Sequence, residues 1–145
     1  MVIRMARFAA LAVTAAAVTL TGCGAAHQAS QGHGTHGTHV VVKRDASNGR
    51  TVKLSVGDKL ELVLGSSYWN FAGSSAPGVL RQIGQPVLVK TSRSCVPGGG
   101  CQPKRATFRA LKPGTAVITA HRVSCGEALA CAASKRSFKL TVVVS

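Results

Sequence analysis

The chain has 145 residues, with eighteen Lys and Arg against four Asp and Glu, and a formal net charge of +14 at pH 7. Four scattered carboxylates leave no pair for general acid–base work, and neither G-x-S-x-G nor H-E-x-x-H occurs; the composition argues against an enzyme and implies no cofactor. The basic residues are spread along the chain and form no recognition helix, which argues against a nucleic-acid partner.

The N-terminus sets the compartment. Arg4 and Arg7 precede an apolar run, Phe8 to Leu20, rich in Ala and Val. The run is short for a mature membrane span and suited to the core of a signal peptide. It ends on Leu20-Thr21-Gly22-Cys23, which resembles a bacterial lipobox. Residues 1–22 then form a lipoprotein signal peptide, and Cys23 is lipidated, with palmitate-type chains holding the protein on the extracytoplasmic face of the bacterial cell membrane. An ordinary secretory signal with an incidental cysteine is the other reading. Without Arg4 and Arg7 the charge stays near +12. Outside the cytoplasm such a charge favours anionic lipid, acidic wall polymer or an acidic protein.

Residues 23–39 read as a tether. "AAHQASQGHGTHGTH" has no apolar period and is rich in Gly, Ser, Thr and Gln. His33, His36 and His39 share a three-residue spacing suited to weak zinc or copper capture. No carboxylate or cysteine stands nearby to complete a firm site, so a polar linker is the simpler reading.

From Val40 the pattern has period two. "TVKLSV" points Val52, Leu54 and Val56 one way, and "KLELVL" points Leu60, Leu62 and Leu64 inward against Lys59, Glu61 and Val63. "ATFRAL" alternates Ala106, Phe108 and Ala110, and "TAVITAHR" alternates Ala116, Ile118 and Ala120. "SFKLTVVVS" turns Phe138, Leu140, Val142 and Val144 to one side. Turn signals "VGDK", "SSAPG" and "KPGT" fall between them. About seven short strands with one apolar face each predict one all-β domain over residues 40–145, an antiparallel two-sheet sandwich.

Apart from Cys23 there are four cysteines, Cys95, Cys101, Cys125 and Cys131. An even number in an oxidising compartment points to disulfides. Three pairings are possible, and the two local ones share a C-x5-C spacing, which favours Cys95–Cys101 and Cys125–Cys131. Four-cysteine zinc is the alternative, although structural zinc prefers shorter spacing. The first clamp, "CVPGGGC", encloses Gly98, Gly99 and Gly100, so a backbone free to approach a partner closely is held in one shape. The second, "CGEALAC", holds Glu127, for which a salt bridge is expected before catalysis. His121, a lone strand histidine, reads as surface.

Between strands, "GSSYWNF" concentrates Tyr68, Trp69 and Phe71 in a chain with few aromatics. Such residues anchor interfaces, but sandwiches also bury a central tryptophan. Tyr68 and Trp69 therefore join the candidate partner surface, with the core as Trp69's other place.

From about Thr51 to Val144 the sequence resembles the chagasin family, inhibitors of papain-like cysteine proteases with an immunoglobulin-like fold. "VKLSVGDKLELVL" resembles the family's first strands, and "PGGGCQPKRATFRALKPGTAVITAHR" its glycine-rich loop, next strand, Pro-Gly turn and following strand. "SSYW" falls where the family carries Asn-Pro-Thr-Thr-Gly-Tyr. Arg122 matches the first position of the family's Arg-Pro-Trp, and Val123-Ser124-Cys125 follow in place of Pro-Trp. The resemblance implies an immunoglobulin-like sandwich, monomeric, that wedges three loops at one end into a protease cleft. Its contact residues would be Tyr68, with Ser66 and Ser67 before it, Gly98, Gly99, Gly100 and Arg122; Trp69 and Glu127 complete the candidate partner surface on the strength of their own loops and not of the resemblance. The second expectation is a non-inhibitory envelope module whose basic surface meets wall polymer or anionic lipid.

Overall fold

Alternating side chains give a strand one dry face and one wet face, and two sheets of such strands hide their dry faces together. A computed structural model describes residues 38–91, 94–96 and 98–145 of the chain. Cys23, His33 and His36 lie outside the described residues. The strands are β1 (Val40–Arg44), β2 (Thr51–Leu54), β3 (Lys59–Leu64), β4 (Asn70–Ser74), β5 (Leu80–Leu88), β6 (Lys104–Ala110), β7 (Gly114–His121) and β8 (Ser137–Val144). One sheet runs β1-β3-β6-β5 and the other β2-β8-β7-β4.

The expected apolar faces meet between these sheets. Leu60, Leu62, Leu64, Phe108, Ile118, Leu140 and Val142 are among the fully buried residues of a single core spanning Val52 to Val144. Each large apolar side chain buried there stabilises by roughly 1.5–3 kcal/mol relative to exposure. The compact unit Thr35–Ser145 holds that core and every described strand.

The structure corrects several expectations. The sandwich has eight described strands, and its two sheets are mixed. β1 pairs parallel with β3, and β2 parallel with β8, while β3–β6, β5–β6, β4–β7 and β7–β8 are antiparallel. Val56 does not join the core, because β2 ends at Leu54 and the chain turns. Val63 points outward yet is buried. It is flanked in register by Arg44 and Arg105, whose long stems are of the kind that cover apolar neighbours.

The connections sort to two ends. Loops β3–β4, β5–β6 and β7–β8 leave from one end, where Leu64 pairs with Lys104, Leu88 with Lys104 and His121 with Ser137. The turns β2–β3, β4–β5 and β6–β7 occupy the other. There Gly57 N–H donates to the Ala110 carbonyl, and Leu111 N–H to the Val79 carbonyl. The described chain also enters at this second end, where the His39 carbonyl accepts from Lys59 N–H.

Candidate partner-binding loops

Three of the four connections at the first end converge, the β1–β2 connection lying behind them with Asp45 accepting the Gly65 N–H. The β3–β4 loop is short and braced from within. Buried Ser66 accepts the Tyr68 N–H on Oγ at 3.2 Å, and Lys104 Nζ donates to the Trp69 carbonyl at 2.8 Å. The bracing points Tyr68 across to the glycine loop. Its hydroxyl donates to the Gly98 carbonyl, and Ser67 N–H donates to the Gly100 carbonyl at 3.0 Å.

The glycine loop is shaped by this contact and by its clamp. Cys95 and Cys101 are bonded, with Cα atoms 5.8 Å apart. Gly98 and Gly100 have φ of 80° and 65°, a region that disfavours side chains. Gly100 is required twice over: a Cβ there would lie 2.8 Å from Tyr68 Cζ and closer to the ring edge. Gly99 sits differently, with an ordinary φ and Val96 as its nearest neighbour. Between the two loops lies a concavity of about 300 Å³ lined by Ser67, Tyr68, Val96 and Gly100 among others.

The third loop is a small closed ladder. Cys125 and Cys131 are bonded, with Cα atoms 5.0 Å apart. Within it Ser124 bridges Ala130, Cys125 N–H donates to the Leu129 carbonyl and Cys131 N–H to the Val123 carbonyl. Cys131 is only 2% exposed, so this clamp is rooted in the domain. Arg136 Nε adds a hydrogen bond to the Cys131 carbonyl at 2.8 Å.

The two clamps touch. The Glu127 carboxylate lies over Gly98, where an added Cβ would be 3.1 Å from Oε1. Glu127 makes no salt bridge among the described residues, contrary to expectation; the ion pair found there is Arg105–Glu61 at 3.4 Å. Tyr68, the glycines and Glu127 are thus brought together at one end. Trp69 and Arg122 are not on that surface. Trp69 is 4% exposed and meets Phe138 edge-on, because the hydrophobic gain of an indole is largest in the core. Arg122 folds back over the Trp69 ring at 4.4 Å and donates Nε to the Lys135 carbonyl at 3.0 Å. Both support the loops from behind.

Three side chains escaped the sequence reading. Val96, Val123 and Leu129 expose 66%, 68% and 65% of their surface on or beside the clamps. The available signal was an apolar residue placed in a loop of glycine and polar residues, away from any strand period. His39, the described member of the histidine series, is exposed, and no cluster of three metal-ligating side chains occurs among the described residues.

No protein-family model matches the chain, and no curated protein matches it. Solved structures do. The solution structure of amebosin superposes with a TM-score of 0.53 at 19% identity, covering 75% of this chain and 100% of that one. The cysteine protease inhibitor EhICP2 from Entamoeba histolytica superposes with a TM-score of 0.53 at 16% identity, covering 74% and 97%. At these identities the likeness is one of architecture. The chain is an all-β sandwich that shares the fold of these two structures.

Proposed function

We propose that the protein is a non-enzymatic binding protein that presents its three-loop end to a protein partner, in the manner of chagasin-type inhibitors, with the cleft of a papain-like cysteine protease as its target. The observation that carries the reading is the convergence of two clamped loops and Tyr68 at one end, with three exposed apolar side chains about them. Clamped loops lose less entropy on binding, and apolar tips favour a cleft that excludes water. The similarity to EhICP2, a cysteine protease inhibitor, supports the same reading.

The test is inhibition of papain by the unit Thr35–Ser145, with and without Gly99→Asp. Gly99 has an ordinary φ, and a Cβ there would lie 3.1 Å from Val96 Cγ2 and 3.2 Å from its carbonyl oxygen, so the charge enters the loop with a smaller adjustment than any side chain at Gly100 would need. Inhibition that falls at least tenfold in the variant is the expected result. Absence of inhibition by the parent unit at high micromolar concentration would remove the protease from the proposal.

The proposal includes the N-terminal reading: Cys23 is lipidated and holds the monomer on the extracytoplasmic face of the cell membrane. Its support is the Leu20-Thr21-Gly22-Cys23 sequence after a basic, apolar start. Cys23→Ala should release the protein from the membrane fraction of bacterial cells expressing it. Unchanged fractionation, with unlipidated parent protein by mass spectrometry, would contradict the anchor.

A further inference from the structure

The outer face of the β1-β3-β6-β5 sheet is more cationic than its own stability favours. Strand register sets Val40, Lys59, Arg109 and Arg81 abreast across the four strands. Lys59 faces Arg109, and Arg109 faces Arg81, with no carboxylate in the row. Like charges directly opposite on neighbouring strands are destabilising. Two residues along, Val42, Glu61, Thr107 and Ile83 form the next row, followed by Arg44, Val63, Arg105 and Val87. The only acid of these rows, Glu61, is already paired with Arg105. Nearby Asp58 accepts the Ser55 N–H at 2.8 Å in the adjoining turn.

Apolar side chains stand among these cations. Val40, Val42, Ile83 and Val87 are between 43% and 49% exposed on the same face. The outer face of the other sheet is different. Thr51, Thr115, Thr119 and Thr141 stand on it with Val117 and Val143, which are less exposed than the aliphatic residues of the first face, and its strands present Lys53 and Lys139 in separate rows.

We propose that the outer face of the β1-β3-β6-β5 sheet is a docking surface for an anionic lipid bilayer. The unpaired row matches anionic headgroups, and the half-exposed aliphatic residues between the cations suit the apolar side of the interface. A soluble polyanion would satisfy the charges and leave those aliphatic residues in water, which is why the bilayer is the better occupant. The three-cation row also lies at the end where the chain enters the domain, beside His39. This surface is separate from the loop end and does not depend on what the loops bind.

The experiment is co-sedimentation of the unit Thr35–Ser145 with vesicles of phosphatidylcholine and phosphatidylglycerol in equal parts, and with phosphatidylcholine alone. This unit lacks the apolar N-terminal run, which would bind vesicles by itself. Binding to the anionic vesicles only, weakened by salt, is the expected result. The combined variant Lys59→Gln, Arg81→Gln, Arg109→Gln should bind roughly 100-fold more weakly, at about fivefold per cation near the surface. It should melt no lower than the parent, because cross-strand repulsion is relieved. Val42→Ser with Ile83→Ser should also weaken vesicle binding, whereas Lys53→Gln with Lys139→Gln should leave most of it. Equal binding to neutral vesicles, or equal loss from the two sets of cation substitutions, would overturn the proposal. So would binding to a soluble glycerol-phosphate polymer as tight as to vesicles, with no effect of the serine substitutions; the occupant would then be a polyanion.

Discussion

The two clamped loops have the same C-x5-C spacing and are built in opposite ways. The 125–131 loop carries its own order. It has internal backbone hydrogen bonds, a buried Cys131 and a tie from Arg136. Among its described residues the 95–101 loop has one internal backbone bond, Gly99 N–H to the Val96 carbonyl, and its other backbone contacts come from neighbouring loops. Tyr68 holds Gly98, Ser67 holds Gly100 and Glu127 lies over Gly98. Equal covalent spacing therefore does not mean equal rigidity. One clamp reinforces a ladder that exists beside it, and the other fixes a glycine backbone with little order of its own.

Removing each disulfide should separate the two cases. In the chain-entropy model each closure contributes roughly 2–3 kcal/mol. Cys125→Ser with Cys131→Ser should lose at least that much, since a buried sulfur is also replaced by a hydroxyl. Its loop amides should stay partly protected from hydrogen exchange. Cys95→Ser with Cys101→Ser should lower the melting temperature less, but amides 98–101 should exchange far faster. Identical exchange in the two variants would show that both loops depend on their clamps alike.

A smaller perturbation sharpens the contrast. Gly100→Ala forces a left-handed side chain, costing roughly 1–2 kcal/mol, and drives the Tyr68 ring away. Any papain inhibition should fall with it, and the 125–131 loop should keep its exchange pattern. Unchanged tyrosine and glycine-loop chemical shifts would mean that the Tyr68 contact does not shape the loop.

What could be read from the sequence follows the same physics. β2, β3, β6, β7 and β8 were legible because their apolar residues alternate and end in the core. β1, β4 and β5 were not named, and each is a sheet edge. In these three the buried stripe is incomplete and the pattern blurs, whereas β2, the remaining edge, stays legible because buried Val52 and Leu54 alternate with exposed Thr51 and Lys53. "VVVKR" has no clean alternation, and "LRQIGQPVL" is broken where register shifts between Ile83 and Val87. The two disulfide pairs were legible from spacing. The Tyr68–Gly98 contact was not, because it joins residues thirty apart through loops with no period. Arg122 was placed on the surface by analogy with a motif position, and Trp69 because aromatic residues anchor interfaces, with the core as its other place. A motif position fixes a place in the chain, whereas the cost of exposing an indole decides where the side chain rests.

The chain enters the domain at the end opposite the three loops, beside His39, and Ser145 lies at that same pole, where its N–H donates to the Leu54 carbonyl and its own carbonyl accepts from Val56 N–H. Both chain ends of the folded unit thus sit on one side. A reporter, a surface linker or a second module can be joined at either end without lengthening the path to the loops. A circularly permuted version would need only a short splice across that pole. For a binding scaffold this separates attachment from recognition, so the loops can be diversified while the immobilisation chemistry stays fixed.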